Sequence, residues 1–238
     1  AMGGALFDSG DTDRPPVRIS VPQAYLHGSA HAAIGALAAL WRRARTGQGQ
    51  HVDVSIQAAM ARITSTEIPE WFYNKKLNPR SGAFRLSFGH AMRPIYRCRD
   101  GHVAFRIATG QRFGRLIAPL TRWMAEKDCS EGFETLDWTK VDMGKLSAGD
   151  FQKMEAAFGR FFLEHTKMEL AQEAVKRHFM LCEVASPKEI TSDEHLFSRN
   201  YWVDVEHPEL GRKFLYPGAP YKITPLPWRI SRRAPLIG

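Results

Sequence analysis

Two histidines, His27 and His31, stand four residues apart at the start of an alanine-rich segment. In a helix, this spacing places both imidazole rings on one face. Because imidazole titrates near neutral pH, the pair could transfer protons as general acid and base. The alternative is that both rings only provide polar packing at the beginning of a helix. The spacing also suits a metal ion, but no third histidine, cysteine or carboxylate lies close in the sequence, so we predict no metal site.

A turn of five residues, Thr46-Gly47-Gln48-Gly49-Gln50, supplies the second set of candidates. Gly47 is placed for the left-handed residue that ends many helices. The two glycines together let the backbone pass directly from a helix into a strand. Gln48 and Gln50 carry amide groups that could contact a ligand. The turn could equally serve only to shape the fold, and both interpretations stay open.

The elements that must position these groups are a helix, the turn and a strand. Residues 28–45 are apolar on nearly every side until a run of arginines begins at Arg42. This is typical of a buried helix with basic residues at its negative C-terminal end. Residues 51–55 alternate polar and apolar side chains, so we predict a strand there. Residues 56–71 then predict a second helix, which ends near Pro69.

The rest of the chain alternates helices and strands and contains no internal repeat. Residues 74–93 predict a loop that crosses between two bodies, in which Ser81-Gly82 and Phe88-Gly89-His90 could form a mobile lid or an ordinary linker. Asp100-Gly101 indicates the turn of a hairpin between strands 95–98 and 102–107. The remaining predicted elements are helices over 111–126, 151–178 and 183–198, a strand over 201–206, and a connection containing Pro217, Pro220, Pro225, Pro227 and Pro235. The pattern predicts an α/β protein with a small α+β insert at roughly 94–182.

Composition limits the class of protein. The 238 residues carry a net charge of +8, are 44% hydrophobic and include three scattered cysteines without a CxxC pair. Separated cysteines in odd number fit a reducing compartment, and no apolar stretch reaches the ~18 residues of a membrane span. We therefore predict a cytoplasmic protein without a membrane partner. Positive charge attracts anions, but no nucleic-acid-binding motif occurs and the aromatic residues follow helical spacing, so we predict no nucleic-acid partner.

One segment carries a family resemblance. The apolar helix followed by RRARTGQGQHVDVSIQAAM, a run from about His31 to Met60, is similar to the signature of the class III CoA-transferases. This family includes formyl-CoA transferase, the α-methylacyl-CoA racemases and the benzylsuccinate CoA-transferases. Weaker similarities follow in the family's order at Asp100-Gly101-His102-Val103, at residues 205–211 and 217–220, and at the closing residues 234–238.

The resemblance implies a partial Rossmann-like large domain, a smaller α+β domain, and subunits that interlock as a dimer. Residues 1–75 would belong to the large CoA-binding domain, residues 76–185 to the small domain with its linker, and residues 186–238 to a segment that returns to the large domain. It also implies that this chain is the middle and later part of a longer protein. Coenzyme A, as an acyl-CoA, would be a substrate together with a carboxylic acid, and no covalently bound cofactor is expected.

In this family, an aspartate just before the buried helix attacks the thioester and holds the acyl group as a mixed anhydride. Aligned on Ile34-Gly35 and the glycine turn, that position holds Tyr25, and no aspartate or glutamate occurs from Val17 to Val52. A phenol does not replace the carboxylate, because a phenyl ester is far more stable than an anhydride. We therefore expect a homo- or hetero-oligomer with a related subunit, in which this chain is the member of a pair that lacks the nucleophile and a partner subunit supplies the aspartate. The alternatives are a racemase, isomerase or lyase that uses Tyr25, His27 or His31 for proton transfer, or a structural subunit that binds without reacting.

Overall fold

The structure is a computed structural model that describes residues 2–225 and 228–237. It divides into two compact units, the first ending at Glu183 and the second beginning at Val184. Helices and three small sheets make up these units, which confirms the mixed helix-and-sheet class that the sequence predicts. Within the described ranges every strand pair is antiparallel, and no helix is long and apolar enough to cross a membrane.

Helix α1 spans Gln23–Thr46 and ends as predicted. Gly47 adopts the left-handed conformation, with φ of 73°, and its backbone N–H donates to the carbonyl oxygen of Arg43 at 2.8 Å. The prediction that this helix is buried is wrong for the described chain, because only Gly28 is buried. Its largely exposed apolar side chains include Ile34, Leu37, Leu40 and Trp41.

Residues 51–55 do not form a strand, which corrects the prediction. A β-strand is held by hydrogen bonds to a neighbouring strand, and no other described segment pairs with these residues. The segment ends at Ser55, whose side-chain oxygen accepts a hydrogen bond from the backbone N–H of Ala58 at 3.2 Å. This cap begins helix α2, Ile56–Ala61.

The helix predicted over 56–71 is interrupted. After α2, a turn leads to helix α3 at Glu67–Pro69, and a π-type turn follows at Glu70–Asn74. The interruption coincides with a cluster of β-branched residues, of which Thr64 donates its hydroxyl to the carbonyl oxygen of Ala61 at 2.8 Å. Such local hydrogen bonds and restricted rotamers compete with a continuous helix.

Residues 74–93 contain a hairpin where an open loop was predicted. Strands β1 (Arg85–Ser87) and β2 (His90–Met92) pair through the turn Phe88-Gly89. Both turn residues have positive φ, 52° and 82°, which is the conformation of a two-residue type I′ turn. Phe88-Gly89-His90 therefore belongs to a hydrogen-bonded hairpin.

The largest sheet has the strand order β3-β4-β5, formed by Ile95–Cys98, Gly101–Phe105 and Leu181–Glu183. The predicted hairpin between β3 and β4 is confirmed, but its turn residues are Arg99 and Asp100, because Gly101 already pairs with Cys98 in β4. Strand β4 therefore covers Gly101–Phe105 where 102–107 is predicted. Strand β5 was not predicted. It has only three residues, so its pattern of side chains is too short to indicate a strand.

Helices α4 (Gly110–Ala125), α5 (Ala148–Leu163) and α6 (Lys167–Arg177) complete the first unit. Helix α4 confirms the helix predicted over 111–126. The single helix predicted over 151–178 is wrong, because Thr166 and Glu169 form a capping box that begins a new helix.

The hydrophobic core of this unit is formed by the β3-β4-β5 sheet together with helices α4, α5 and α6 and is rich in aromatic rings. The ring of Phe105 on β4 lies 5.1 Å from that of Phe158 and 5.2 Å from that of Phe162, both on α5. Tyr96 meets Phe162 edge-on at 5.4 Å. Tilted and edge-on contacts of this kind stabilise a core beyond simple burial of area.

In the second unit, α7 (Pro187–Ile190) and α8 (Glu194–Ser198) replace the one helix predicted over 183–198. The division occurs because the Asp193 carboxylate accepts a hydrogen bond from the N–H of Leu196 and caps a new helix. Strand β6 (Trp202–His207) confirms the predicted strand and pairs with β7, Arg212–Pro217. Pro227 of the predicted proline-rich connection and Gly238 of the closing segment lie outside the described residues.

Candidate active site

The predicted catalytic residues lie at the beginning of α1. Tyr25 is in the first turn and is 70% exposed, whereas His27 and His31 are partly buried. The two imidazoles share one helical face, as their spacing predicts. None of these three side chains has a hydrogen-bond partner within residues 2–225 and 228–237. The phenol is thus accessible, and the imidazoles are free to bond to a ligand.

The face of α1 near His31 lies against the returning chain. A Cβ built on Gly28 would lie 3.0 Å from Cγ1 of Ile56, and one built on Gly35 would lie 2.7 Å from Cγ1 of Val52. The two glycines are seven residues apart, or about two helical turns, so they occupy the same side of the helix. The group that lies beside Gly28 is the apolar side chain of Ile56.

The glycine turn holds its two glutamines differently. Oε1 of Gln50 accepts a hydrogen bond from Nη1 of Arg42 at 2.7 Å. The backbone N–H of Gln48 donates to Oγ1 of Thr46 at 3.2 Å, while its exposed side chain has no partner in the described chain. The contact of Gln50 fits the interpretation that the turn shapes the fold. A ligand role for either glutamine remains a prediction.

The chemistry open to this segment is proton transfer and hydrogen bonding. No carboxylate occurs from Val17 to Val52, so α1 and its approach carry no group able to form an acyl anhydride. In the part of the chain that the structure describes, no group of three histidine, cysteine or acidic residues is arranged to hold a metal ion.

A groove of about 860 Å³ opens at the end of the sheet where β4 stops and β5 starts. Its floor is apolar and includes the buried side chains of Phe105, Ile107 and Ile117. Sequence reasoning missed the groove, because its walls come from segments far apart in the chain. They are Phe88, Pro94, and residues from 104–117, 141–143 and 179–182.

A chain of hydrogen bonds in the second unit was also missed. His207 has Nδ1 3.1 Å from Oε1 of Glu209 and Nε2 3.1 Å from Oη of Tyr216. Nε of Arg233 donates to Oε2 of Glu209 at 2.9 Å. The pKa of Glu209 is held below its ordinary value by its own backbone N–H and then by His207 and Arg233. The cluster ties the β6–β7 hairpin to the closing segment.

The sequence profile described as CoA-transferase family III matches residues 1–238. The chain belongs to this family. It is 30% identical over 245 residues to the succinyl-CoA:(R)-benzylsuccinate CoA-transferase subunit BbsE of Thauera aromatica, a match that covers 100% of this chain and 57% of that protein. It is also 25% identical over 238 residues to the succinyl-CoA–D-citramalate CoA-transferase of Chloroflexus aurantiacus. This match covers 100% of this chain and 56% of that protein.

A solved CaiB/BaiF family protein from Brucella suis has a similar fold, with a TM-score of 0.69 at 19% identity over 99% of this chain and 58% of that one. This chain therefore spans a little over half the length of the family III proteins that it matches. The predicted resemblance to the family is confirmed. The roles predicted for Tyr25, His27, His31, Gln48 and Gln50 remain predictions.

Proposed function

We propose that this protein transfers coenzyme A between an acyl thioester and a carboxylic acid, and that this chain belongs to the subunit without the nucleophilic aspartate. The observation that carries the proposal is Tyr25, an exposed phenol in the first turn of α1, at the position where the family resemblance implies an aspartate. The absence of acidic residues from Val17 to Val52 supports it. A relative that matches the whole of this chain is itself named as a subunit, which favours a partner subunit.

In the proposed reaction, an aspartate of the partner attacks the thioester carbonyl. The C–S bond breaks, coenzyme A leaves as a thiolate, and the acyl group remains on the aspartate as a mixed anhydride. The thiolate then attacks the aspartyl carbonyl of this anhydride, which releases the first acid and leaves an aspartyl-CoA thioester. The second acid attacks that thioester and expels the thiolate, and the thiolate finally attacks the acyl carbon of the new anhydride and frees the aspartate. One thioester and one free acid enter, and one of each leaves.

This chain would contribute binding surface. The Gln48 side chain is exposed and can reach a polar group of coenzyme A, whereas Gln50 is engaged by Arg42 and would mainly fix the turn. We propose no resident cofactor, because coenzyme A enters and leaves as substrate.

The proposal extends to architecture and location. Residues 1–75 would form part of a Rossmann-like large domain, 76–185 the small domain, and 186–238 the return segment, in a cytoplasmic protein interlocked with a related subunit. The exposed apolar side chains of α1 support an assembly, since contiguous apolar surface of this kind is usually covered.

To test the function, the full-length protein is expressed with the product of the neighbouring reading frame. The complex is incubated with succinyl-CoA and a panel of carboxylic acids, and transfer is measured as new thioester. Hydroxylamine or borohydride then traps the acyl enzyme, and mass spectrometry locates the adduct. The proposal expects transfer by the complex, with the adduct on an aspartate of the partner.

Tyr25→Phe is the matched variant, because it removes the hydroxyl and keeps the ring. It should leave transfer by the complex within about twofold of wild type. An adduct on this chain, or loss of transfer in the Tyr25→Phe complex, would contradict the proposed role of this chain.

A second candidate is proton transfer at the α-carbon of an acyl-CoA, as in a racemase, isomerase or lyase. It is favoured by the shared face of His27 and His31, since an acid and a base are both needed. Exchange of the α-proton of an acyl-CoA in D₂O, without transfer to a second acid, would favour this function over the first.

A further inference from the structure

The groove beside the β3-β4-β5 sheet has the size and polarity of a site for a small organic molecule. Its volume of about 860 Å³ lies within the ~300–1,000 Å³ typical of ligand pockets. The exposed side chains of Phe88, Phe113 and Met180 supply its accessible apolar surface, while Phe105 and Ile107 in its lining are almost wholly buried. An apolar body of aromatic or alicyclic size would be removed from water there.

The charges at the groove favour an anion. Arg106 lines it and has no ion pair or hydrogen bond to any described residue. The one acidic side chain of the lining, Asp142, already accepts a hydrogen bond from the N–H of Gly144 at 3.0 Å and lies 3.7 Å from Nζ of Lys145. A negatively charged ligand would therefore meet the guanidinium of Arg106, which is unpaired among the described residues. The carboxylate of Asp142 would repel it less, because Gly144 and Lys145 already contact that carboxylate.

The N-terminus of α4 adds to the positive charge at the groove. Thr109, which also lines the groove, precedes α4 without a side-chain cap, and the first turn holds no acidic residue. The backbone N–H of Gly110 already donates to the carbonyl oxygen of Trp138 at 3.0 Å, but no described side chain neutralises the positive end of the helix dipole. Taken with Arg106, it makes the polar part of the groove complementary to a carboxylate.

We propose that this groove binds the free anion of an aromatic or alicyclic carboxylic acid, with the apolar body against Phe113 and Met180 and the carboxylate near Arg106. The inference rests on the proposed function and deepens it, because it names the class of acid that the protein selects. Short acids such as acetate would leave the apolar surface unfilled and would bind poorly.

Cys182 allows a test that does not depend on catalysis. Its side chain lines the groove and is exposed, whereas Cys98 is buried and Cys129 is partly buried, and burial raises the pKa of both of those thiols. Iodoacetamide should therefore alkylate Cys182 first in the full-length protein. Peptide mass spectrometry measures the rate at which Cys182 is alkylated, and alkylation of Cys129 serves as the internal reference.

Saturating phenylbutanoate should slow alkylation of Cys182 by about fivefold or more, since a bound ligand covers the thiol, and acetate should not. Phenylbutanoyl-CoA, whose thioester carries no free carboxylate, is tested separately and should protect Cys182 less than phenylbutanoate does. Arg106→Ala should raise the phenylbutanoate concentration needed for half-protection about tenfold. The same variant should not change the concentration of the neutral analogue phenylbutanol that is needed for half-protection.

Arg97→Ala is the matched control, because Arg97 is an exposed arginine on β3 that does not line the groove. The inference is overturned if Cys182 reacts at the same rate with and without phenylbutanoate. It is also overturned if acetate protects equally, or if Arg97→Ala weakens protection as much as Arg106→Ala. Absence of CoA transfer with intact protection would count against the proposed function alone.

Discussion

Gly35 and Val52 lie so close that a Cβ built on the glycine would be 2.7 Å from Cγ1 of the valine. This contact fixes how the chain returns along α1 after the glycine turn, on the same side of the helix as Gly28. It ties the segment that carries the family signature to the face on which His31 lies.

Gly35→Leu should therefore destabilise the protein. The side chain of Val52 is stiff at χ1 and cannot move aside freely, so overpacking should lower the free energy of unfolding by about 1–3 kcal/mol. Urea unfolding followed by far-UV circular dichroism measures the change. Gly49→Ala is the control, since the space around Gly49 is open. Equal stability of the leucine variant and wild type would mean that the contact is not tight.

Gly114 in α4 gives a second packing prediction. A Cβ at this position would overlap the backbone carbonyl of Trp138, and backbone yields less than a side chain. Gly114→Ala should cost about 3 kcal/mol in spite of the better helix propensity of alanine. Gly149→Ala in the first turn of α5, where a Cβ meets only Oγ of Ser147 at 3.8 Å, should be neutral or stabilising by up to ~1 kcal/mol. Thermal or urea unfolding of both variants tests the contrast.

The histidine pair separates the two candidate functions. If the chain belongs to the subunit without the nucleophile, the double variant His27→Gln, His31→Gln should keep CoA transfer by the complex within about threefold. If the imidazoles transfer protons, α-proton exchange should fall by roughly 10²–10⁴. Initial rates of transfer and of deuterium incorporation are measured on the same preparations. A loss of transfer together with intact folding would contradict the proposed role of this chain.

Asp100 links the β3–β4 turn to the start of α6. Its Oδ1 accepts a hydrogen bond from the backbone N–H of Lys167 at 2.8 Å, and this bond is the main cause that lowers the pKa of Asp100. Because the folded pKa is below the unfolded value, the stabilisation is complete above pH ~4 and is lost as the pH falls through the folded pKa. Asp100→Asn should lower the urea midpoint at neutral pH.

The difference between the Asp100→Asn variant and wild type should shrink as the pH falls below ~4, because both then carry an uncharged side chain at this position. Asp204→Asn on the exposed side of β6 serves as control. A difference that is constant from neutral to acid pH would show that the charge of Asp100 does not contribute.

The sequence predicts a helix end or a hairpin correctly where a single short segment determines that feature. Gly47 predicts the end of α1 because a glycine adopts positive φ without steric cost. The segment Arg99-Asp100-Gly101 indicates the β3–β4 hairpin, although Gly101 belongs to β4. The break between α5 and α6 was missed, although Thr166 and Glu169 have the spacing of a capping box, because the apolar pattern continues across it. The β1–β2 hairpin was missed because strands of three residues carry almost no periodicity.

By itself, the sequence determined the family, the C-terminal end of α1 and the absence of a carboxylate between Val17 and Val52, since these depend on residue types and order. Only the tertiary structure decided that residues 51–55 remain unpaired, that the apolar side chains of α1 are exposed, and that Arg106 and Cys182 line one groove. Pairing, burial and cavities depend on segments far apart in the chain that meet through packing. No local pattern encodes such a meeting.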